Sequence, residues 1–411
     1  MANPVRWALI ALALGAVALI GRGLAAGWVV IRQLALERVN FPARSSREIL
    51  AVTAARAAGV SHRGARLIAA HAAALRATMN ATTWAEERTV VLVWDTMRLY
   101  GTWWEPPRPG WLAPCNVQCE WTADRARLGE ADAIAFTLDA PVPAEMLAAR
   151  RAGQRTIGVS LENLQQHDRF HALAIQLRSV DMLITYELDA HVPRPYFEPG
   201  YFEPRGLRGL KRPKPKVHGA AVAAFISNCE RQGALSRLDL LAELSAHVRV
   251  DHYGRCGHNT DLPHTRGAAD WGAKKLGVVG KYRFLSAMEN SLALDYVSEK
   301  VYHALLVGTI PIYLGAPNVF DFLPCDAAQP CIVHVADYLD ARGRLDARRL
   351  GAHLNHLASN ETAFAQYLRW RDGPLPQRFV DLAELGRHAA SCRACHCLRG
   401  RLGCAESPEG R

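Results

Sequence analysis

Carboxylate, ammonium and phenol side chains are concentrated in the stretch Lys281–Gly315, KYRFLSAMENSLALDYVSEKVYHALLVGTIPIYLG. A carboxylate accepts hydrogen bonds from ligand hydroxyls, and a lysine ammonium binds an anion. The side chains that fall at the joints between predicted elements are Glu289, Tyr296, Glu299 and Lys300. We therefore predict that these four side chains converge on one ligand.

The stretch is predicted to fold as a strand, a loop, a helix and a second strand. The predicted bounds are Lys281–Met288, Glu289–Tyr296, Glu299–Val307 and Thr309–Leu314, in that order. Ser298 is suited to cap the helix, and Gly308 is suited to end it. In a right-handed crossover of this kind, the loop and the first helical turn lie at the carboxyl end of the first strand.

The motif order in this part of the chain resembles a known family. FLSAMENSLALDYVSEK followed by IPIYLGAPNVFDFLP resembles the donor-binding signature of the α1,3/4-fucosyltransferases, which use GDP-fucose. The segments AFISNC at 224–229, VDHYGRCG at 250–257 and IGVSLEN at 157–163 extend the resemblance over roughly residues 89–400. The segments GAPN, LRW and CRAC resemble the plant-type enzymes that fucosylate the N-glycan core more than the Lewis-type animal enzymes.

The resemblance implies an inverting glycosyltransferase. The expected reaction moves L-fucose from GDP-fucose to a GlcNAc hydroxyl of a glycoprotein glycan in α-1,3 linkage, with the N-glycan core as the favoured acceptor. The alternatives are a protein O-fucosyltransferase, another inverting sugar-nucleotide transferase of the same fold, and a non-catalytic glycan-binding relative. The donor motif does not separate these functions, because the acceptor is chosen by the N-terminal lobe.

An α/β fold is predicted from short apolar strands that alternate with Ala/Leu-rich helices, and the length of 411 residues allows two such domains. The resemblance implies the GT-B form, in which two Rossmann-like lobes face each other across a cleft. The predicted strands outside the motif begin at Thr89 or span Ala133–Leu138, Thr156–Leu161, Met182–Thr185, Ala220–Ile226 and Val248–His252.

Five segments are predicted along the chain. They are a signal-anchor transmembrane segment at 1–31, a helical stem at 32–86, an N-terminal acceptor-side lobe at 87–200, a C-terminal GDP-fucose-binding lobe at 201–380 and a Cys-rich tail at 381–411. The apolar run Trp7–Ile31 is long enough to cross a bilayer. The expected location is the Golgi membrane, as a single-pass type II protein with a lumenal catalytic region; a cleaved signal or a transit peptide is the alternative.

The formal net charge of +10 is compatible with nucleic acid, a membrane surface or an anionic small molecule as partner. The excess is Arg spread over Ala-rich helices, without a basic stripe interleaved with aromatic residues. We therefore expect no nucleic-acid partner. The expected partners are GDP-fucose, a glycoprotein glycan and, through the N-terminal helix, a membrane.

Ten cysteines are compatible with a lumenal protein if they form disulfides. Cys115 and Cys119, Cys325 and Cys331, and a cluster of four are closely spaced and are expected to bridge; the cluster is Cys392, Cys395, Cys397 and Cys404. Zinc bound with His388 and His396 is the alternative, but a second pair of ligands is missing. Asn80 and Asn360 begin triplets that accept N-glycans in the secretory pathway.

The resemblance implies a set of donor-binding residues. Its members are Arg237, Tyr253, Glu289, Asn290, Asp295, Tyr296, Glu299 and Lys300. Lys300 is expected to face the diphosphate, because the start of its helix adds amides and a favourable dipole end. Arg237 is the second expected phosphate ligand. Glu299 is expected to hold the ribose and Glu289 to lie near the fucose, while Tyr296 has either a core role or a stacking role against the guanine.

Glu162, directly after the strand TIGVSL, is the expected catalytic base. The acid at the equivalent strand end has this role in the resembling enzymes, and an alcohol needs a base to become a good nucleophile. Glu120 and Asp189 are the alternatives. The chain contains no Asp-x-Asp motif, so we expect no bound metal and no required cofactor; a divalent cation is expected at most to stimulate activity.

Overall fold

The structure is a computed structural model that describes residues 63–80, 88–95, 113–138, 143–162, 180–197, 216, 221–229, 237–262, 271–340, 343–402 and 404. The predicted membrane segment and residues 32–62 of the predicted stem lie outside these ranges. No helix within the described ranges is both long enough and apolar enough to cross a membrane.

The described residues form two parallel sheets, each packed between helices. The helices in chain order are α1 (Arg63–Met79), α2 (Ala144–Ala149), α3 (Arg237–Ser245), α4 (Trp271–Val279), α5 (Glu299–Leu306), α6 (Ala347–Ser359), α7 (Glu361–Gln366), α8 (Gln377–Arg387) and α9 (Ala390–Leu398). Short 3₁₀ turns at Arg125–Gly129, Val319–Phe322, Val335–Tyr338 and Arg369–Arg371 lie between the regular elements.

The sheet of the N-terminal lobe has the strand order β2-β1-β3-β4-β5-β6. Its strands are β1 (Arg88–Val93), β2 (Gln118–Thr122), β3 (Ala133–Thr137), β4 (Arg155–Ser160), β5 (Met182–Thr185) and β6 (Val192–Pro193). The strands β1, β3, β4 and β5 confirm predicted strands. Side chains alternate between the two faces, so Val91 and Ile157 pack on one face while Leu92 and Phe136 pack with Met146 of α2 on the other.

The sheet of the C-terminal lobe has the strand order β11-β10-β9-β7-β8. Its strands are β7 (Val222–Ala224), β8 (Val250–His252), β9 (Phe284–Met288), β10 (Ile310–Leu314) and β11 (Val333–His334). Every residue of β9 and β10 is buried. Both faces are covered, which explains why these strands are continuous apolar runs in the sequence. The predicted α/β fold with two lobes is thereby confirmed.

The two ends of the described chain are exchanged between the lobes: the first helix packs in the C-terminal lobe, and the last helix packs in the N-terminal lobe. Helix α1 packs against α8, and its side chains Ile68 and Leu75 are buried in the core of the C-terminal lobe. The predicted stem is thus helical at 63–79, where it packs into the C-terminal lobe. Helix α9 packs on β1, β2 and β6 of the N-terminal lobe, so the predicted tail belongs to that lobe's core from Ala390 on, while its first residues, in α8, stay with the C-terminal lobe.

Disulfides fasten α9 to the N-terminal lobe. Cys392 pairs with Cys115, and Cys395 pairs with Cys119 in β2. The predicted local bridging of Cys115 and Cys119 is therefore wrong, while Cys392 and Cys395 are confirmed as disulfide cysteines. The other bridges are Cys229–Cys256, Cys325–Cys331 and Cys397–Cys404. With all ten cysteines paired, no thiolate remains for the zinc alternative.

A buried polar cluster joins the start of α1 to the loop before α5 and to the N-terminal lobe. Asn318 Nδ2 donates to Asp295 Oδ1 at 2.8 Å and lies 3.4 Å from Asp321 Oδ2. Asp295 Oδ2 accepts the backbone N–H of Leu188 at 3.1 Å, and Asp321 accepts the backbone N–H of Gly64. The cluster therefore holds two carboxylates close together out of water.

This cluster predicts a pH dependence of stability. Burial, together with the charge of Asp295, raises the pKa of Asp321 to about 6. The folded chain then keeps a proton between about pH 4 and about pH 6 that the unfolded chain has lost, so the free energy of unfolding falls as the pH rises through this range. From this group we expect a loss of about 1 kcal/mol between about pH 5 and about pH 7.

Urea unfolding of the wild type and of Asp321→Asn at both pH values measures this effect. The variant keeps the size of the side chain but does not titrate, so its unfolding free energy should depend less on pH. An equal pH dependence in the two proteins would mean that Asp321 does not carry the effect.

Candidate functional site

Glu289 anchors the start of helix α5. It follows β9 directly, and Ser298 occupies the N-cap position of α5 as predicted. The Glu289 carboxylate accepts hydrogen bonds from Ser298 N and Ser298 Oγ, both at 2.7 Å, and from Lys300 Nζ at 3.0 Å. Its side chain is fully buried. We therefore assign Glu289 to holding Ser298 and Lys300, rather than to the predicted contact with a sugar.

Gly315 allows Glu289 to lie where it does. A Cβ atom at Gly315 would come within 2.6 Å of Glu289 Cγ, which is closer than real Cβ contacts. The carbonyl of Leu314, just before this glycine, accepts the backbone N–H of Glu289 at 2.7 Å. Gly315, the glycine of the segment IPIYLG, is thus needed for close packing between the end of β10 and the end of β9.

Glu299 lies between two lysines at the start of α5. Its Oε1 atom is 3.9 Å from Lys300 Nζ and 3.9 Å from Lys275 Nζ of α4. Burial alone raises the pKa of Glu299, but the charges of Lys300 and Lys275 outweigh it and lower the pKa to about 2. Glu299 therefore stays ionised at neutral pH. Since 34% of its side chain is exposed, it can still accept hydrogen bonds from a ligand.

Arg237 adds a third cation from another helix. It begins α3, is half-buried and lies 3.4 Å from the carbonyl oxygen of Asn228. Burial lowers its pKa, while the charges of Glu289, Glu162 and Glu299 oppose this effect. These interactions place the guanidinium among the predicted donor-binding side chains.

Glu162 reaches the same group of residues from the N-terminal lobe. It follows β4, is half-buried and accepts a hydrogen bond from Tyr296 Oη at 3.1 Å. The two alternative acids have other partners. Glu120, on the outer strand β2, pairs with Arg127 and Arg88. Asp189 pairs with Arg63 at 2.5 Å.

Three other predicted ligands lie around this site in different ways. Tyr253 follows β8, stacks on Phe225 with ring centroids 5.0 Å apart, and has its hydroxyl 2.8 Å from that of Tyr282. Asn290 follows Glu289 and is half-buried. Asp295 is 2% exposed and its carboxylate is bound by Leu188 and Asn318, so it shapes the loop and is not available to a donor.

The glycosylation candidates are both at the surface. Asn80 is exposed at the end of α1. Asn360 is also exposed, and its Oδ1 accepts the Ala363 backbone N–H at 3.0 Å as the N-cap of α7. Their modification stays a prediction.

Lys275 is the site residue that the sequence interpretation missed. It is 8% exposed, and its ammonium lies 5.5 Å from the centroid of the Phe225 ring. In the sequence it is one of two adjacent lysines in a helix-sized segment, which is typical of an exposed helix face. No local signal distinguishes it from Lys274; its place beside Glu299 results from the packing of α4 on α5.

The arrangement is suited to an anionic ligand that also carries hydroxyl groups. The cations Lys275, Lys300 and Arg237 surround the amino end of α5, where helix amides and the dipole favour negative charge. Glu299 can accept from hydroxyls, and Glu162 offers a carboxylate from the opposite lobe. Among the described residues, no group of three or more His, Cys, Asp or Glu is arranged to hold a metal.

Known proteins are similar to this chain in sequence or in fold. The family model described as Glycosyltransferase family 10 (fucosyltransferase) C-term matches residues 214–403. Alpha-(1,3)-fucosyltransferase 7 of Bos taurus is 32% identical over 286 residues, which is 67% of this chain and 72% of that protein. A putative fucosyltransferase-like protein of Arabidopsis thaliana is 29% identical over 290 residues, or 70% of this chain and 49% of that protein.

The chain thus spans about half the length of some relatives that it matches. Among solved structures, a crystal structure of alpha1,3-fucosyltransferase with GDP aligns with a TM-score of 0.50 at 14% identity, covering 77% of this chain and 94% of that one. This likeness concerns the fold alone, and it agrees with the predicted GT-B architecture of two α/β lobes.

Proposed function

Because the chain belongs to glycosyltransferase family 10, the fucosyltransferases, we propose that it moves L-fucose from GDP-fucose to a hydroxyl of a glycan. One observation carries this proposal: the cations around the amino end of α5 face Glu162 of the other lobe, and Tyr296 connects the two through its bond to Glu162. A diphosphate-binding end and a carboxylate across the cleft are what the transfer needs.

The donor is bound by charge and by hydroxyl recognition. The diphosphate lies against the amino end of α5, where Lys300, Lys275 and Arg237 neutralise it. Lys300 keeps its charge, because Glu289 and Glu299 outweigh the effect of burial and raise its pKa. Glu299 accepts hydrogen bonds from ribose hydroxyls. These side chains supply positive charge for the departing phosphate, so a bound metal is not required.

The reaction is a single displacement. Glu162 removes the proton of the acceptor hydroxyl while its oxygen bonds to the anomeric carbon of fucose. The bond between that carbon and the β-phosphate oxygen breaks, and its electron pair leaves with GDP. Attack from the face opposite the leaving group inverts the β-linked donor to an α-linked product.

The acceptor that we favour is a GlcNAc hydroxyl of a glycoprotein glycan, in α-1,3 linkage and at the N-glycan core. The support is the likeness to plant-type motifs and to a relative named alpha-(1,3)-fucosyltransferase. We place the protein in the Golgi membrane with a lumenal catalytic region. Five disulfides support this location, because they persist in oxidising compartments.

The proposed function is tested with the purified full-length chain and GDP-fucose. We expect GDP release that depends on a glycan ending in an accessible GlcNAc, and that continues in the presence of a chelator. Core N-glycan, lactosamine and a folded protein domain as acceptors separate the three acceptor classes. Binding of GDP without turnover on any acceptor would refute the proposed activity and indicate a glycan-binding relative.

Lys275→Ala is expected to weaken GDP binding roughly tenfold, because one of the cations around the diphosphate is lost. Lys274→Ala is the matched control. Lys274 lies in the same helix turn and is half-buried, and the described interactions include no bond between it and Glu299. Calorimetric titration with GDP compares them. Equal affinities in both variants would show that Lys275 does not contribute to donor binding.

A further inference from the structure

We infer that Tyr296 is a positioning residue for the base: its hydroxyl holds Glu162 in place across the cleft, and its backbone links Glu162 to the donor-binding end of α5. This inference rests on the proposed function, since it assigns a task to Tyr296 only if Glu162 accepts the proton. It differs from the sequence expectation, in which Tyr296 either packs in the core or stacks against the guanine of the donor.

The hydrogen bond from Tyr296 occupies one of the two carboxylate oxygens of Glu162 and leaves the other available. Tyr296 Oη donates to Glu162 Oε2 at 3.1 Å. Burial raises the pKa of the Tyr296 phenol, so it keeps its proton and remains a donor at neutral pH. With Oε2 held in this way, Oε1 is the oxygen that takes the proton of the acceptor hydroxyl. A base whose carboxylate cannot rotate is better aligned with its substrate.

The ring of Tyr296 is fixed by two other tyrosines from the N-terminal lobe. Tyr186 packs against it with centroids 4.9 Å apart and an interplanar angle of 77°, and Tyr196 packs at 5.8 Å and 83°. Tyr196 also donates its hydroxyl to the carbonyl of Leu161, next to Glu162. Tyr296 is 2% exposed, so its ring offers no open face on which a guanine could stack.

The backbone of Tyr296 leads directly to the donor site. Two residues on, Ser298 is bound to Glu289 through both its amide and its hydroxyl, and Glu289 also binds Lys300. One residue before, Asp295 has a φ of 64° and accepts the Leu188 amide of the N-terminal lobe. A shift of the α5 start would therefore move Tyr296, and with it Glu162.

Tyr296→Phe removes one oxygen atom and keeps the ring. We expect kcat to fall roughly 10- to 100-fold, as for the loss of a hydrogen bond to a charged group. KM and Kd for GDP-fucose should change by less than about twofold, because the donor contacts are intact. The control is Tyr186→Phe, which removes a hydroxyl from the same cluster without touching the bond to Glu162, and it should keep nearly the wild-type kcat.

A double variant separates positioning from a merely structural role. If Tyr296 acts through Glu162, then Tyr296→Phe should cost nothing further in a Glu162→Gln background, so the two effects should not add. Additive effects would overturn the inference. A wild-type kcat, or a donor Kd weakened as much as kcat falls, would also overturn it and return Tyr296 to donor binding. A wild-type kcat in the Glu162→Gln variant would instead show that Glu162 is not the base.

Discussion

Glu162→Gln is expected to lower the kcat of fucose transfer by orders of magnitude and to leave GDP binding nearly intact. The amide can still accept the hydrogen bond from Tyr296, so the cleft keeps its shape, but it cannot take the proton of the acceptor hydroxyl. General base catalysis contributes about 10²- to 10⁴-fold, so kcat should fall by this amount. GDP affinity should change by less than about twofold, because Glu162 lies in the lobe opposite the diphosphate.

Glu120→Gln is the matched control for this prediction. Glu120 is the alternative base from the sequence, and its carboxylate is paired with Arg127 and Arg88. We expect this variant to be fully active. The two variants are compared by their rates of GDP release and by their affinities for GDP, which calorimetry measures. If Glu162→Gln keeps its transfer activity and Glu120→Gln loses it, the base is Glu120 on the outer strand β2.

Lys300→Ala is expected to have the second large effect, on both affinity and stability. Removing the ammonium takes a cation from the diphosphate, which should weaken GDP binding roughly 10- to 100-fold. It also leaves the fully buried Glu289 carboxylate without its ion pair, and breaking such a pair costs about 3 kcal/mol. Calorimetry with GDP and urea unfolding measure the two effects separately.

Lys281→Ala is the control for Lys300, because Lys281 is exposed at the start of the same motif. We expect it to change neither GDP affinity nor stability. If the folded Lys300 variant binds GDP as tightly as the wild type, then Lys300 only supports Glu289, and the diphosphate assignment is wrong.

The parts of the site that could be predicted are those specified by local spacing. Ser298 and Gly308 mark the two ends of α5 in the sequence, and the structure has them there, with a φ of 68° at Gly308. Glu299 and Lys300 follow the cap immediately, so their position at the helix start is also local information. Glu162 is predicted from its place directly after a strand, since strand ends face the cleft in parallel α/β lobes, and from the role that the resemblance implies for an acid there.

The remaining features depend on contacts between distant segments. Lys275 joins the site through packing of α4, and the partners of Cys392 and Cys395 lie 277 and 276 residues away. Asp295 has the residue type of a ligand, but its neighbours in space, Leu188 and Asn318, bind its carboxylate. Burial and long-range partners are tertiary properties, so neither spacing nor residue type could reveal them.

The exchange of chain ends has a consequence for biosynthesis. The N-terminal lobe buries one face of its sheet under α9, and this helix is the last element of the described chain to leave the ribosome. That face must stay uncovered, or be shielded by a chaperone, until α9 has been synthesised. Two disulfides then close loops that contain every strand of the C-terminal sheet, so the lobe that is made first is the last to be finished.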